Sequence, residues 1–342
     1  MPRCDHRVVR VLFLMLTSAP CGCLAPRASV HYAQYLAELP DMSGKTVVVT
    51  GASRGLGFVT ALSLAKKGAS VLMLNRASAR ADAARARIAD ASAGAAPQLV
   101  ACDLLDFESV RRAAQAVARA APRGVDALCC NAGVMLQPDE ASADGYDVTI
   151  AANALSHFLL AREIWPLLEQ AASGRGGEAR VVSMSSGSGF GPPALDARFF
   201  SRAGGRLGGP PASYTRYHQS KLANLVFTAA LDERLRARRS RVKALACTPG
   251  VCGTDMYVHV QAQFRPGEPA DLSKVPSAED GALAQLKCLC DPSVESGQLY
   301  GPRTNGGLPI QVPLAPPTVL VDARAKADLW AACERAVGAF DV

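Results

Sequence analysis

KTVVVTGASRGLG, residues 45 to 57, decides the fold. The run from Thr46 to Thr50 is almost wholly apolar and β-branched, the pattern of a strand covered on both faces. Gly51, Gly55 and Gly57 follow at once, and helical spacing continues from Gly55 to Lys67, closed by Gly68. Strand, glycine turn and helix in that order let the backbone close tightly on an anionic group, with the helix amino end supplying N–H donors. The spacing departs from GxGxxG, so the position between strand and helix carries the reading.

Short apolar runs recur at SVLMLNR (70–76), PQLVACD (97–103), DALCCNAG (126–133), ARVVSMSS (179–186) and RVKALACTPG (241–250). Helical patterns lie between them, around Ala77 to Ala91, Glu108 to Ala121 and Tyr146 to Gln170. Such alternation predicts an α/β fold, a single-domain, Rossmann-type, doubly wound parallel sheet with helices on both faces. Residues 44–342 are expected to form that domain. A targeting or signal-anchor segment (1–25) and a lead-in (26–43) precede it, and 255–277 read as a substrate cover.

The chain has 342 residues, 49% hydrophobic and 20% charged, enough to bury a large core. No apolar run nears the roughly 20 residues of a bilayer-spanning helix, which excludes a polytopic membrane protein. Of the +7 formal charge, a good share comes from Arg3, Arg7, Arg10 and Arg27. With only 6% aromatic residues, stacking platforms for bases are scarce and nucleic acid is not an expected partner. Eleven cysteines show neither a disulfide framework nor a CxxC pair, so no metal site is expected and the setting reads as reducing. At the N-terminus, basic residues, an apolar stretch from Val8 to Leu16 broken by Arg10, and small residues from Cys21 to Ala25 have the grammar of a secretory or signal-anchor segment. Import into the endoplasmic reticulum or a plastid, an uncleaved membrane anchor and a misplaced start codon all fit. Without such a signal the address is cytoplasmic.

The glycine turn places Gly51, Ser53, Arg54, Gly55, Leu56 and Gly57 around a dinucleotide pyrophosphate. The second strand ends in Asn75 and Arg76, where an NAD-preferring site places an acid. A carboxylate there would repel a 2′-phosphate, whereas Arg76 and Arg54 can offer it planar donors, so NADP(H) is expected over NAD(H). Asp103, beside Leu104, stands where a side chain could meet the adenine, or it N-caps the next helix.

These motifs, with CNAG at 130–133, Ser186 after a strand, Tyr217-xxx-Lys221 and Pro249-Gly250, occur in the order of the short-chain dehydrogenase/reductase family, which the chain resembles from about Gly44 to Trp330. YHQSKLANLVF, NALSHFLL and the late LYGP and ADLW stretches resemble the branch of retinol dehydrogenases, WW-domain oxidoreductases and light-dependent protochlorophyllide reductases. The resemblance implies that Asn131, Ala132 and Gly133 face the cofactor's ribose and that Pro249, Gly250 and Thr254 hold its carboxamide. It also implies that Asn153 supports Lys221 and a proton path, and that Ser186, with Ser185 as rival by one position, holds the substrate oxygen.

Tyr217 and Lys221 are i and i+4, one turn apart on one helix face. An ammonium beside a phenol favours the phenolate and should pull its pKa down from about 10. Tyr217 can then exchange a proton with a substrate oxygen while hydride passes. Tyr214 has His218 at i+4 and lacks that activator.

Phe190, Phe199, Phe200, Tyr257 and Phe264, in the loop after Ser186 and in the cover, suggest a lipophilic carbonyl or alcohol; packing of the cover explains them equally. The expected partner is that small molecule, with the protein a monomer or homodimer and the N-terminus a candidate membrane contact. A light-dependent protochlorophyllide reductase is the alternative. It is weakened by Val251, where that group has a cysteine directly after PG, and by YHQSK, which lacks that group's aspartate. A non-catalytic NADP(H)-binding redox sensor is the alternative of another class, and it has little need of Ser186, Tyr217 and Lys221 together.

Overall fold

The computed structural model describes residues 26–174, 177–191, 193–202, 208–209, 212–313 and 322–342. The segment read as targeting, 1–25, with Cys4, Cys21 and Cys23, lies outside the described residues. In chain order the elements are α1 (Tyr32–Glu38), β1 (Thr46–Thr50), α2 (Gly55–Lys66), β2 (Ser70–Asn75), α3 (Ala79–Asp90), β3 (Gln98–Ala101), α4 (Phe107–Ala120), β4 (Ala127–Cys130), α5 (Val148–Ile150), α6 (Ser156–Glu163), α7 (Trp165–Ser173), β5 (Ala179–Met184), α8 (Ser213–Ala237), β6 (Val242–Cys247), α9 (Asp255–Phe264), α10 (Ala278–Gly281), α11 (Leu283–Cys290), β7 (Leu299–Pro302), β8 (Pro309–Gln311) and α12 (Ala323–Val337). The strands make one sheet in the order β3-β2-β1-β4-β5-β6-β7-β8, parallel but for β8.

β1 shows why the sheet is covered on both sides. Its Val48 belongs to one buried cluster, with Val110, Leu159 and Val226, while Val47 and Val49 belong to the other, with Leu64, Ile88 and Leu286. Successive strand residues face opposite ways, so apolar residues at every position demand helices on both faces. α4, α6, α8 and α12 cover the first face, and α2, α3 and α11 the second. The strand order reverses between β1 and β4, which opens a crevice at their carboxyl ends, the usual ligand position in such sheets.

Two features bear on the site. The helix read over 146–170 is interrupted by a π turn, Ala151–Leu155, between α5 and α6, and again at Ile164 before Pro166. Residues 30–42, read as lead-in, pack onto the second face. Asp280 accepts the backbone N–H groups of Val30, His31 and Tyr32 at 2.8, 3.0 and 3.1 Å, and Leu39 and Met42 are buried. Asp280→Ala strands three donors at the start of α1 and is expected to lower stability by about 2–4 kcal/mol in urea unfolding, with Asp280→Asn in between. An unchanged midpoint would show that α1 docks without this carboxylate.

Among the described residues no helix is long and apolar enough to cross a membrane. Eight described cysteines are free and buried.

Candidate functional site

The carboxyl end of β1 builds the first part of the crevice. Gly51 (φ +68°) and Gly55 (φ +53°) adopt the left-handed conformation, and a Cβ on Gly57 would lie 2.3 Å from the Gly51 carbonyl oxygen. The turn is therefore closed to side chains and open to a ligand that needs close backbone approach. Thr50 Oγ1 accepts the N–H groups of Asn131 and Ala132, both at 3.0 Å, and Asn131 Nδ2 donates to the Thr50 carbonyl at 2.8 Å. The Asn131 amide nitrogen is thus committed to the turn, and at this strand end Ala132 and Gly133 offer backbone.

At the end of β2, Asn75 Oδ1 is buried with no partner among the described residues, and Arg76 is exposed. An unpartnered acceptor beside an exposed guanidinium suits the ribose end of a dinucleotide. Arg54 Nη1 donates to Asp255 Oδ2 at 2.8 Å, with both side chains more than half exposed. Asp103 does not cap a helix, which corrects one of its two sequence readings: α4 starts at Phe107, and Asp106 accepts from the Glu108 N–H at 2.9 Å. Asp103 Oδ1 instead holds a turn through the Leu105 N–H at 3.0 Å, with Leu104 between them.

β6 leads into Pro249 and Gly250 (φ +68°), and Asn305 Oδ1 accepts the following Val251 N–H at 3.0 Å. Thr254 caps α9, and its methyl group comes within 3.5 Å of where a Cβ on Gly55 would stand. The start of the cover therefore rests on the glycine turn. The four strand ends of β1, β2, β4 and β6 bring these residues together.

The proton-transfer candidates meet beside them. Tyr217 is 5% exposed, with Ser186 near enough to its phenol to act on the pKa in the downward direction. Ser185 Oγ donates instead to the Lys221 carbonyl at 2.8 Å, so the rival serine is turned onto the helix. Lys221 is buried, donates from Nζ to the Met184 carbonyl at 3.0 Å, and lies 5.7 Å from the Tyr217 ring centroid. Asn153 Oδ1 accepts the Val134 N–H at 2.8 Å, and its Nδ2 donates to the Val134 carbonyl and to Ser220 Oγ, both at 2.9 Å. A Cβ on Gly133 would come 3.3 Å from both Asn153 Oδ1 and Lys221 Nζ.

The electrostatics correct the expected phenol. Burial pushes Tyr217 up to about 12, with the Ser186 hydrogen bond acting downward and the Tyr214 and Cys252 charges upward. Burial pushes Lys221 down to about 8. Desolvation is the largest effect on both groups, and the lysine is directed at the Met184 carbonyl.

Several residues of the site left no clear mark in the sequence reading. Arg216, fully buried, holds Asp147 Oδ2 at 3.0 Å and donates to the carbonyls of Gly209 and Gln137 at 2.8 and 3.1 Å. His218 Nε2 meets the Pro193 carbonyl at 2.8 Å and its Nδ1 the Ser188 carbonyl, while Gln219 binds Ala194 and Asp196. These three side chains of α8 flank Tyr217 and fix the loop after Ser186. Tyr214, 47% exposed, reaches Ser188 Oγ at 3.3 Å and so belongs to the same loop. Phe200 is buried and Phe199 and Phe190 pack on core clusters, whereas Phe264 is 66% exposed on α9. Of the five aromatics read as a lipophilic lining, Phe200 is thus a core residue, and Phe199 and Phe190 are partly buried against the core.

Comparison with known proteins identifies the family. The family model described as short chain dehydrogenase matches residues 45–198. Mouse retinol dehydrogenase 14 is 32% identical over 278 residues, 76% of this chain and 78% of its own. An uncharacterized oxidoreductase of Schizosaccharomyces pombe is 34% identical and human polyprenol dehydrogenase 31%, over 64% and 65% of this chain; the matches span 63% and 64% of their own lengths, under two thirds. A crystal structure of an uncharacterized Mycobacterium paratuberculosis protein superposes with TM-score 0.71 at 32% identity, covering 90% of this chain and 98% of that one. An Escherichia coli short chain dehydrogenase complexed with NADPH gives TM-score 0.58 at 25% identity, covering 76% of this chain and 98% of that one.

Proposed function

The chain belongs to the short-chain dehydrogenase/reductase family of oxidoreductases, in the branch of the retinol dehydrogenases, and from that premise we propose that it reduces or forms a lipophilic carbonyl with NADP(H), using Tyr217 as general acid and base. The observation that carries the proposal is the buried pair of Tyr217 and Lys221, with Ser186 beside the phenol, next to a glycine turn in which Gly57 admits no side chain. Gly51, Gly55 and Gly57 would receive the pyrophosphate, Asn75, Arg76 and Arg54 the phosphorylated ribose, and Pro249, Gly250 and Thr254 the nicotinamide end. A bound NADP(H) supplies or accepts the hydride.

Ser186 orients the carbonyl oxygen, which places Tyr217 to donate its proton to that oxygen as negative charge develops there. A phenol that burial holds protonated has a proton to give in the reduction direction. Lys221, at the centre of the site, offers positive charge that stabilises the phenolate left behind. Asn153 and Gly133 fix the space in which that ammonium stands. The likeness to retinol and polyprenol dehydrogenases, whose names give long apolar alcohols, supports an isoprenoid-like substrate under the exposed face of α9. A screen of NADPH consumption with retinal, prenyl aldehydes, aliphatic aldehydes and steroids tests this; no turnover with any of them would refute it.

The Arg54–Asp255 pair makes a separate expectation about cofactor choice. Arg54→Ala should lower kcat/KM for NADPH about tenfold or more relative to NADH, the cost of one charge-assisted contact to phosphate. Asp255→Asn frees Arg54 and should raise the same ratio by about two- to fivefold, the range of an exposed ion pair. Equal effects on the two cofactors would mean that Arg54 does not touch the 2′-phosphate.

A further inference from the structure

We infer that His157 is a positioning residue that couples the glycine turn to the lysine of the proton-transfer group. The inference rests on the reading of Tyr217 and Lys221 given above. His157 is buried, and each ring nitrogen has one partner. Nδ1 lies 3.2 Å from the Asn153 carbonyl, and Nε2 lies 2.9 Å from Thr50 Oγ1.

The first contact runs from the ring back to residue i−4, inside the π turn Ala151–Leu155, where the helical ladder is shifted by one residue. A carbonyl only accepts, so Nδ1 carries the proton and Nε2 is an acceptor. Thr50 Oγ1 already accepts two backbone N–H groups, from Asn131 and Ala132, and its one proton faces two acceptors, His157 Nε2 at 2.9 Å and the Cys129 carbonyl at 3.3 Å. The Asn153 carbonyl fixes the tautomer, and the shorter of the two Thr50 contacts agrees with it. Burial, with the nearby Lys221 charge adding to it, pushes the ring down to about 4, against the lifting effect of the Asn153 bond.

The two partners lead in different directions. Thr50 closes the glycine turn against the end of β4. Asn153 holds Val134 and Ser220 and borders the space of Lys221 Nζ through Gly133. One neutral ring thus joins the seat of the pyrophosphate to the seat of the ammonium. A displacement of either one reaches the other through two hydrogen bonds.

The experiment separates the two contacts. His157→Asn keeps a donor near Nδ1 and loses Thr50; His157→Gln reaches the Nε2 position with an acceptor and loses the Asn153 carbonyl; His157→Phe keeps a ring and loses both. With NADPH titrated by its fluorescence and turnover followed on retinal, His157→Asn should weaken NADPH binding about fivefold and leave kcat and its pH profile near wild type. His157→Gln should do the reverse, lowering kcat about tenfold and moving the pH profile, and His157→Phe should show both losses. In the wild type, 15N NMR of labelled histidine should show a neutral Nδ1–H ring down to pH 5. Variants that lose thermal stability but leave binding, kcat and pH profile unsplit, or an Nε2–H ring, would overturn the coupling. Tyr217→Phe measured alongside reports on the underlying reading. If it keeps turnover, the reacting pair is misassigned and the coupling falls with it; if it loses turnover while the His157 variants fail to split, the coupling alone falls.

Discussion

Tyr217→Phe is expected to lower kcat by a hundredfold to ten-thousandfold, about the contribution of a positioned general acid, while NADPH binding changes by about twofold or less. The ring stays and only the hydroxyl goes, so the buried pocket keeps its volume and Ser186 loses one partner. Ser186→Ala removes the other half of the pair and should cost less, because Tyr217 can still reach the substrate oxygen. Ser185→Ala should leave chemistry intact, since Ser185 Oγ is spent on the Lys221 carbonyl. Steady-state kinetics with NADPH and retinal, paired with fluorescence titration of NADPH, distinguish these outcomes.

Lys221→Met should do two opposite things. Catalysis should fall by a comparable hundredfold or more, because the charge that stabilises the phenolate is gone. Stability should rise. The ordinary lysine value of 10.5 is pushed down to about 8 by burial, so between these values the unfolded chain binds more protons and wild-type stability increases with pH. Below pH 8 the full penalty of holding a buried ammonium is present, about 3 kcal/mol. Methionine matches the apolar stem and escapes that penalty, and the Met184 carbonyl keeps the Asn224 Nδ2 donor at 2.9 Å. The variant should therefore exceed the wild type in urea midpoint at pH 7 and lose that lead as pH approaches 10.5. A variant less stable than wild type at pH 7 would mean that the ammonium is satisfied in ways its single carbonyl contact does not show.

The sheet was legible because its strands are fully buried. TVVVT, SVLMLN and ARVVSM each carry apolar residues toward both faces, and no other element writes that pattern so plainly. β7 and β8 escaped, being four and three residues long and holding Gly301, Pro302 and Pro309, which read as turn. The π turn was invisible because AANAL differs from any α-helical stretch only in backbone register. α1 looked like a lead-in since its anchor, Asp280, lies 248 residues away from Tyr32 along the chain.

In the site, the glycine turn, Ser186, Tyr217 and Lys221 could be found from spacing and resemblance. Side-chain direction could not. The sequence allowed Asp103 as a cap, which Asp106 provides, and it put the lysine charge on the phenol where burial prevails. His157 stood in plain sight in NALSHFLL, four residues after Asn153, but its partner Thr50 is 107 residues distant. Arg216 reads as one more arginine beside a tyrosine until its zero exposure and the buried Asp147 are seen.

The most direct test of the account is deuteride transfer from 4-deuterated NADPH to retinal, followed by mass spectrometry of the retinol, for the wild type and Tyr217→Phe. The account predicts one deuterium at the carbinol carbon with the wild type and product at background with the variant, both proteins binding NADPH. Equal deuterium incorporation by the two would contradict it.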